Sequence, residues 1–144
     1  MAPELRDPNC AFCQIVAGER PAHVVLESEH AYAFLDARPV FPGHCLLVPR
    51  DHYETLGDLP RPLVTEVFLD AQRLAVAVEA AMEADGTFVA MNNRVSQSVP
   101  HLHVHVVPRR RKDGLRGFFW PRQRYESDEE MAKVASRIRA ALRA

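Results

Sequence analysis

Three histidines that alternate with aliphatic residues have the clearest capacity for chemistry, in the segment HLHVHVV at residues 101–107. In an extended chain successive side chains point to opposite faces, so the imidazoles of His101, His103 and His105 are predicted to form a row on one face. Neutral imidazoles can ligate a metal. Alternatively, one imidazole can act as a nucleophile while its neighbours fix its tautomer and donate hydrogen bonds to a phosphate. We therefore treat all three as candidate catalytic residues.

The pair Cys10 and Cys13 forms a Cys-x-x-Cys motif, a spacing used for metal binding and for redox chemistry. A structural zinc site takes four nitrogen or sulfur ligands, so two further residues would be needed. The alternative is a pair of reduced thiols without a metal. Cys45 lies in an apolar run and is expected in the core. Three cysteines are an odd and low number, which favours a reducing compartment over a disulfide framework.

The elements that position these residues can be predicted from the pattern of apolar residues. Strands are predicted at Val24–Leu26, Ala31–Leu35, Cys45–Val48, Thr87–Met91 and Leu102–Val107. A long amphipathic helix is predicted over residues 62–83, where apolar residues recur at steps of three and four. A capping box at Ser127 to Glu130 predicts a second helix. We expect an α+β domain, with an antiparallel sheet of about five strands and two helices.

The length and composition of the chain limit the classes of protein to which it can belong. Its 144 residues predict a single domain over residues 1–144, and 47% hydrophobic with 26% charged residues excludes disordered and fibrous classes. The first ten residues lack the apolar core of a signal peptide, and no apolar run approaches the roughly 18 residues of a membrane span. We therefore expect a cytoplasmic protein with no membrane partner.

The net charge of −1 argues against a nucleic-acid partner, but the charge is unevenly distributed. Residues 109–124 carry seven basic side chains and one acidic side chain, a net charge of +6, so the remaining residues sum to −7. One interpretation of this basic segment is a solvated loop. Its run of two phenylalanines and Trp120 is too aromatic for such a loop, because exposed aromatic clusters are rare without something to cover them.

The triad segment matches at every position the signature of the histidine triad (HIT) superfamily of nucleotide hydrolases and transferases. Residues 10–59 resemble the N-terminal half of that family, with its Cys-x-x-Cys opening, its Phe-x-Asp segment at residues 34–36 and its Pro-Gly-His turn at residues 42–44. The resemblance spans roughly residues 10–109. It implies a HIT-like core over those residues, followed by a basic and aromatic segment and a helix over 109–143. It also implies a homodimer that joins two sheets into one larger continuous sheet.

For the triad itself, the resemblance implies covalent catalysis on a purine nucleotide. His103 would attack the α-phosphorus and form a nucleotidyl-imidazole intermediate, which water then hydrolyses. His105 would stabilise the developing charge on the phosphate, and His101 would orient the site or bind metal. His44, in the Pro-Gly-His turn, resembles a supporting histidine that packs against the triad.

The loop before the triad resembles the family's phosphate loop. Gln97 and Ser98 match residues that bind the phosphate or position the leaving group, and Asn92 matches a polar residue that contacts the substrate. Residues 92–99 contain no glycine, although a backbone that approaches a phosphate closely usually favours glycine. The loop therefore departs from the family pattern in the part that determines leaving-group preference.

The resemblance also assigns residues to the nucleoside and to the pocket rim. Asp36 would accept hydrogen bonds from the ribose hydroxyls. Phe12 and Phe34 match positions that line the base pocket, with core packing as the alternative. Trp120 and the arginines around it would lie along the dimer interface or the pocket rim, where they would attract an anionic leaving group.

A structural zinc ion is a further implication, because His52 and His101 match the histidines that complete a Cys₂His₂ site in zinc-bearing relatives. With Cys10 and Cys13, such a site would tie the N-terminal arm to the triad strand. Zinc there would stabilise the protein rather than catalyse.

The expected substrates are adenosine nucleotides of the form AMP-X. The N-terminal half resembles nucleoside phosphoramidases, whereas the region after the triad, with Pro108, Arg109 and the helix at Ser127, resembles dinucleoside polyphosphate hydrolases. Two other classes stay open. One is a non-catalytic nucleotide-binding or scaffold protein, and the other is a metalloenzyme in which the three triad histidines hold zinc.

Overall fold

The computed structural model describes residues 5–116 and 122–143 of the chain. The chain divides into two compact units, Met1–Asp113 and Gly114–Ala144. The first unit contains the triad and all but one of the other predicted site residues. The exception, Trp120, lies outside the described residues, together with the two phenylalanines beside it.

A five-stranded antiparallel sheet forms the centre of the first unit, as predicted. The strands are β1 (Val24–Glu27), β2 (Ala31–Leu35), β3 (Cys45–Pro49), β4 (Gly86–Ala90) and β5 (Val104–Arg109). Their order across the sheet is β1-β2-β3-β5-β4. His105 lies on β5, where it pairs with Leu46 of β3 on one side and with Ala90 of β4 on the other. The backbone of this histidine is therefore held from both sides.

The described residues contain three α-helices, one more than predicted. They are α1 (Ala11–Val16), α2 (Arg61–Ala81) and α3 (Asp128–Arg143), and a 3₁₀ turn lies at Leu56–Asp58. Helix α1 was missed because six residues are too few to show a helical period. The Ser127 hydroxyl caps α3 by accepting a hydrogen bond from the Glu130 amide at 3.0 Å. Within residues 5–116 and 122–143, no helix is long and apolar enough to cross a membrane.

Two apolar clusters lie on the two faces of the sheet. One is formed with α2 and contains the alternating side chains Leu102, Val104 and Val106, as well as Cys45. The other is formed with α1 and contains Cys10, Phe12, Cys13, Tyr32, Phe34, Leu46 and Val48 among its members. The predicted alternation is therefore confirmed, because the aliphatic residues of the triad segment enter the α2 cluster.

The start of the fifth strand differs from its prediction. The sequence places it at Leu102, whereas β5 begins at Val104. The Leu102 amide donates to the Tyr53 carbonyl at 2.7 Å, so this part of the backbone is paired with a loop and not with β3. His101 and His103 thus precede the regular strand, although their side chains keep its alternation.

The turn that leads into β3 requires a glycine. Gly43 has a φ of +98°, and a Cβ built there would lie 2.7 Å from Cγ of Met82 and 3.3 Å from Cγ of Pro108. Both the backbone conformation and the lack of space exclude a side chain. Because His44 follows directly, this turn determines where that imidazole lies.

We expect Gly43→Ala to lower the free energy of unfolding by about 2–4 kcal/mol. The substitution adds a Cβ to a residue with left-handed backbone conformation and creates a steric contact with Met82. Gly18→Ala is the matched control, since Gly18 has a φ of +77° with no atom within 4 Å of the added Cβ. The control should lose only about 1 kcal/mol. Urea denaturation of both variants checks this, and equal losses would contradict a steric role for Met82.

Candidate active site

The triad lies on the sheet face that packs against α1. His101 and His103 are buried and His105 is half-buried. The ring centroids of His103 and His105 are 5.0 Å apart, and that of Phe12 is 5.1 Å from His103. The rings of Phe12 and Phe34 meet edge to face at 5.4 Å, and both are buried. Both phenylalanines are therefore buried, and Phe12 lies directly beside the triad.

The ring of His103 is oriented by the backbone of its own segment. Its Nδ1 lies 2.8 Å from the carbonyl oxygen of His101. A carbonyl oxygen can only accept, so Nδ1 carries the proton and donates. In the neutral imidazole Nε2 is then left with a free lone pair, which is the state that a nucleophile requires.

His105 has a different partner, the side chain of His44. The Nδ1 atom of His105 lies 2.9 Å from Nε2 of His44, which is itself buried. Burial, together with the neighbouring His103 and His44, lowers the pKa of His105 to about 4. Burial also lowers the pKa of His44, although Asp36 acts in the opposite direction. Both imidazoles are therefore neutral at pH 7.

Asp36 lies beside this histidine pair, immediately after β2. Its Oδ1 atom accepts a hydrogen bond from the Arg38 amide at 2.9 Å, and its Oδ2 atom lies 3.7 Å from Nε2 of His44. The carboxylate is half-buried at the edge of the site. The structure thus brings Asp36, His44 and His105 together.

The loop over residues 92–98 is braced by its own amide side chains. Gln97 donates from Nε2 to the Glu54 carbonyl and accepts at Oε1 from the Arg94 amide, both at 2.7 Å. The Asn92 side chain donates to the Ser96 carbonyl at 3.2 Å. Ser98 is exposed. Two of the three predicted phosphate-loop residues therefore also shape the loop.

The sequence pattern did not single out one residue that holds this loop, Asn93. Asn93 accepts at Oδ1 from the Leu56 amide at 2.8 Å and so joins the loop to the 3₁₀ turn. The available signal was weak, because an asparagine in a polar loop is ordinary turn chemistry. The backbone amide of Val40, which donates to Nδ1 of His44, was also missed, because a backbone group has no sequence signal.

The residues predicted as zinc ligands do converge. The ligand atoms of Cys10, Cys13, His52 and His101 all lie within 4.8 Å of one another. Sγ of Cys13 is 3.3 Å from Nδ1 of His52 and 3.5 Å from Nδ1 of His101. The S–N edge of a tetrahedral zinc site is about 3.6 Å for ordinary Zn–S and Zn–N bond lengths. The donor set and its spacing therefore fit a zinc ion.

The tautomer of His101 also suits metal ligation. Its Nε2 lies 2.9 Å from the Pro49 carbonyl oxygen, so Nε2 carries the proton and the lone pair of Nδ1 faces the two cysteines. Burial lowers the pKa of His101 to about 4 and raises that of Cys13 to about 11. Among the described residues, the groups that could hold a metal contain no set with all three triad histidines.

Comparisons with known proteins cover the part of the chain that carries these features. The HIT domain family matches residues 17–112. Adenosine 5'-monophosphoramidase HNT1 of Saccharomyces cerevisiae is 37% identical over 131 residues, which cover 89% of this chain and 80% of the yeast protein.

Two solved structures are similar in fold as well as in sequence. A crystal structure of a member of the HIT family of proteins from Bacillus subtilis has a TM-score of 0.83 at 33% identity, covering 92% of this chain and 96% of that chain. A crystal structure of a Zn-bound histidine triad family protein from Mycobacterium smegmatis has a TM-score of 0.71 at 36% identity, covering 92% of this chain and 97% of that chain.

The glycine-free loop places Ser96 in the left-handed region, at a φ of 61°. We expect Ser96→Gly to be neutral or stabilising by up to about 1 kcal/mol, because relief of backbone strain offsets the greater freedom of the unfolded chain. Ser98→Gly is the matched control, since the backbone of Ser98 has no positive φ to relieve. It should destabilise by about 0.5–1 kcal/mol. Thermal unfolding should show that Ser96→Gly is more stable than Ser98→Gly. The opposite ranking of the two stabilities would contradict backbone strain at Ser96.

Proposed function

The chain belongs to the HIT domain family, and from this membership and the geometry of its histidines we propose that it is a nucleotide hydrolase. Its substrates are adenosine nucleotide derivatives AMP-X, either phosphoramidates or dinucleoside polyphosphates, cleaved at the α-phosphate. The similarity to a yeast adenosine 5'-monophosphoramidase supports phosphoramidates as the first class to test.

The single observation that carries this proposal is the hydrogen bond from Nδ1 of His103 to the His101 carbonyl. It leaves the Nε2 lone pair of His103 free to attack the α-phosphorus, so that an N–P bond forms while the P–X bond breaks. The group X leaves with the electron pair of that bond and takes up a proton. Water then attacks the same phosphorus and gives up a proton, which balances the proton taken up by X. The N–P bond breaks, and AMP is released with the lone pair of His103 restored.

The remaining side chains bind the two ends of the substrate. Asp36 has a second carboxylate oxygen that can accept from the ribose hydroxyls, and Phe12 and Phe34 supply an apolar surface for the base. Asn92 and Gln97 hold the phosphate loop, and together with Ser98 they are proposed to contact the departing group. The basic segment at residues 109–124, with its net charge of +6, is proposed to attract that anionic group.

A structural zinc ion is part of the proposal. Cys10, Cys13, His52 and His101 would hold it, and the metal would supply a cross-link between the N-terminal arm and the triad segment. The Zn-bound relative from Mycobacterium smegmatis supports this choice of metal. Chemistry at the substrate is assigned to His103 and His105, which are not among these four ligands.

We also propose that the protein forms a homodimer by continuation of the sheet at β4. This strand pairs only with β5, which leaves its other edge without a strand partner among the described residues. Apolar side chains are exposed on β4 and on the neighbouring α2, at Val89, Phe68, Leu69 and Val76. An exposed apolar surface beside an open edge is typical of a surface that a second copy covers.

We expect His103→Ala to lower kcat/KM for adenosine 5'-phosphoramidate by at least about 10³-fold, because the nucleophile is lost, while AMP still binds. Mass spectrometry of quenched wild-type reactions should detect the added AMP mass on the peptide that contains His103. His23→Ala, at an exposed position far along the chain from the triad, is the control and should keep full activity. Undiminished turnover by His103→Ala would refute the mechanism.

We expect the double variant Cys10→Ser/Cys13→Ser to lose bound zinc and several degrees of thermal stability, because the cross-link is removed. Its kcat/KM, measured below its own unfolding temperature, should stay within about threefold of wild type. Cys45→Ala is the control, since that thiol is buried in the α2 cluster and should leave the zinc content unchanged. Loss of activity in the folded, zinc-free variant would argue for a catalytic metal.

A further inference from the structure

The backbone amide of Val40 determines the tautomer of His44. Its N–H group donates to Nδ1 of His44 at 3.0 Å. Nδ1 is therefore an acceptor and carries no proton, so the ring proton of the neutral imidazole lies on Nε2. Both partners of this hydrogen bond belong to the turn before β3. In the same turn the His44 amide donates to the Phe41 carbonyl at 3.0 Å. Burial of His44 keeps this arrangement away from water.

The proton on His44 in turn determines the tautomer of His105. Nε2 of His44 lies 2.9 Å from Nδ1 of His105 and donates to it. The Nδ1 atom of His105 is then an acceptor, and its own ring proton lies on Nε2. Asp36 is the other acceptor near Nε2 of His44, but at 3.7 Å it lies beyond hydrogen-bond distance.

We propose that His44 is a positioning residue that holds His105 as an Nε2–H donor, through a relay that starts at the Val40 amide. The catalytic consequence of this relay rests on the proposed function, whereas the tautomers do not. In that reaction the oxygens of the α-phosphoryl group gain negative charge. An N–H group stabilises such an oxygen, whereas the lone pair of the opposite tautomer would repel it.

The relay gives two neighbouring imidazoles opposite chemistry. His103 donates from Nδ1 to a carbonyl and offers a lone pair at Nε2, whereas His105 accepts at Nδ1 and offers a proton at Nε2. Their ring centroids are only 5.0 Å apart. One phosphoryl group can therefore receive the lone pair of His103 at phosphorus and the N–H of His105 at an oxygen. One residue is thus prepared to attack and the other to stabilise charge.

The same relay argues against a second metal site. Potential ligand atoms of Asp36, His44 and His105 lie within 4.8 Å of one another, a grouping that by distance alone would suit a metal. However, His44 already accepts a hydrogen bond at Nδ1, so ligation through Nε2 would require a fully deprotonated imidazolate. The hydrogen-bonded arrangement keeps the ring neutral and is the one that the Val40 amide favours.

The direct test is long-range ¹H–¹⁵N NMR of the ¹⁵N-histidine-labelled, substrate-free protein at pH 7, which reports the ring nitrogen that carries each proton. We expect His44 and His105 to be protonated at Nε2 and His103 at Nδ1, so that His103 serves as an internal reference. A proton on Nδ1 of His105 in the unsubstituted protein would overturn the proposal, whether or not any variant folds.

Two variants at His44 separate positioning from packing. His44→Gln keeps an N–H donor toward His105 and should preserve its tautomer and keep kcat within about tenfold. His44→Glu offers only an acceptor, so the His105 proton should move to Nδ1 and kcat should fall about 10²-fold or more, with a smaller change in KM. Equal activity of the two folded variants would refute the positioning role.

The same experiment distinguishes this inference from the proposed function. If the tautomers follow the relay but His103→Ala retains full turnover, the hydrolase mechanism fails while the relay holds. If His103→Ala is inactive but the tautomer of His105 is the same in His44→Glu as in wild type, the relay fails while the mechanism holds.

Discussion

Hydrogen bonds between ring nitrogens and backbone groups hold three imidazoles of the site directly and a fourth, that of His105, through His44. The Pro49 carbonyl binds His101, the His101 carbonyl binds His103, and the Val40 amide binds His44. Each bond permits one tautomer only, because a carbonyl accepts and an amide donates. Among the described residues, every buried side-chain nitrogen and oxygen has a partner. The chemistry of four similar side chains is thus set by main-chain atoms from three separate segments.

The sequence predicts a large part of this arrangement because periodicity is a local property. A period of two separates the histidines from Leu102, Val104 and Val106, and the structure confirms that separation. The Cys₂His₂ cluster also follows from residue types and the family resemblance. By contrast, the true start of β5 depends on the bond from Leu102 to the Tyr53 carbonyl, a contact between distant segments. Tautomers are hidden for the same reason, since backbone partners leave no trace in residue identity.

The phosphate loop shows how a chain can keep a geometry without its usual residue. Arg94 and Ser96 both have positive φ, a conformation that glycine adopts at lower cost. Gln97 and Asn93 tie the loop to residues 54–56, and these bonds compensate for the strain. Asn92 adds a bond within the loop itself. A glycine-free sequence in this place is therefore compatible with an ordered loop.

The pairing of Cys10 with His101 joins positions 91 residues apart in the chain. A cross-link over such a distance acts mainly on the unfolded chain, because it removes conformations that the free ends would otherwise explore. A covalent bridge that closes a loop of this length is worth about 4–5 kcal/mol in the chain-entropy model. A metal ion held here would act in the same way, as a reversible cross-link between the start of the first helix and the segment that leads into β5. The small N-terminal arm would then contribute far more to stability than its buried area suggests.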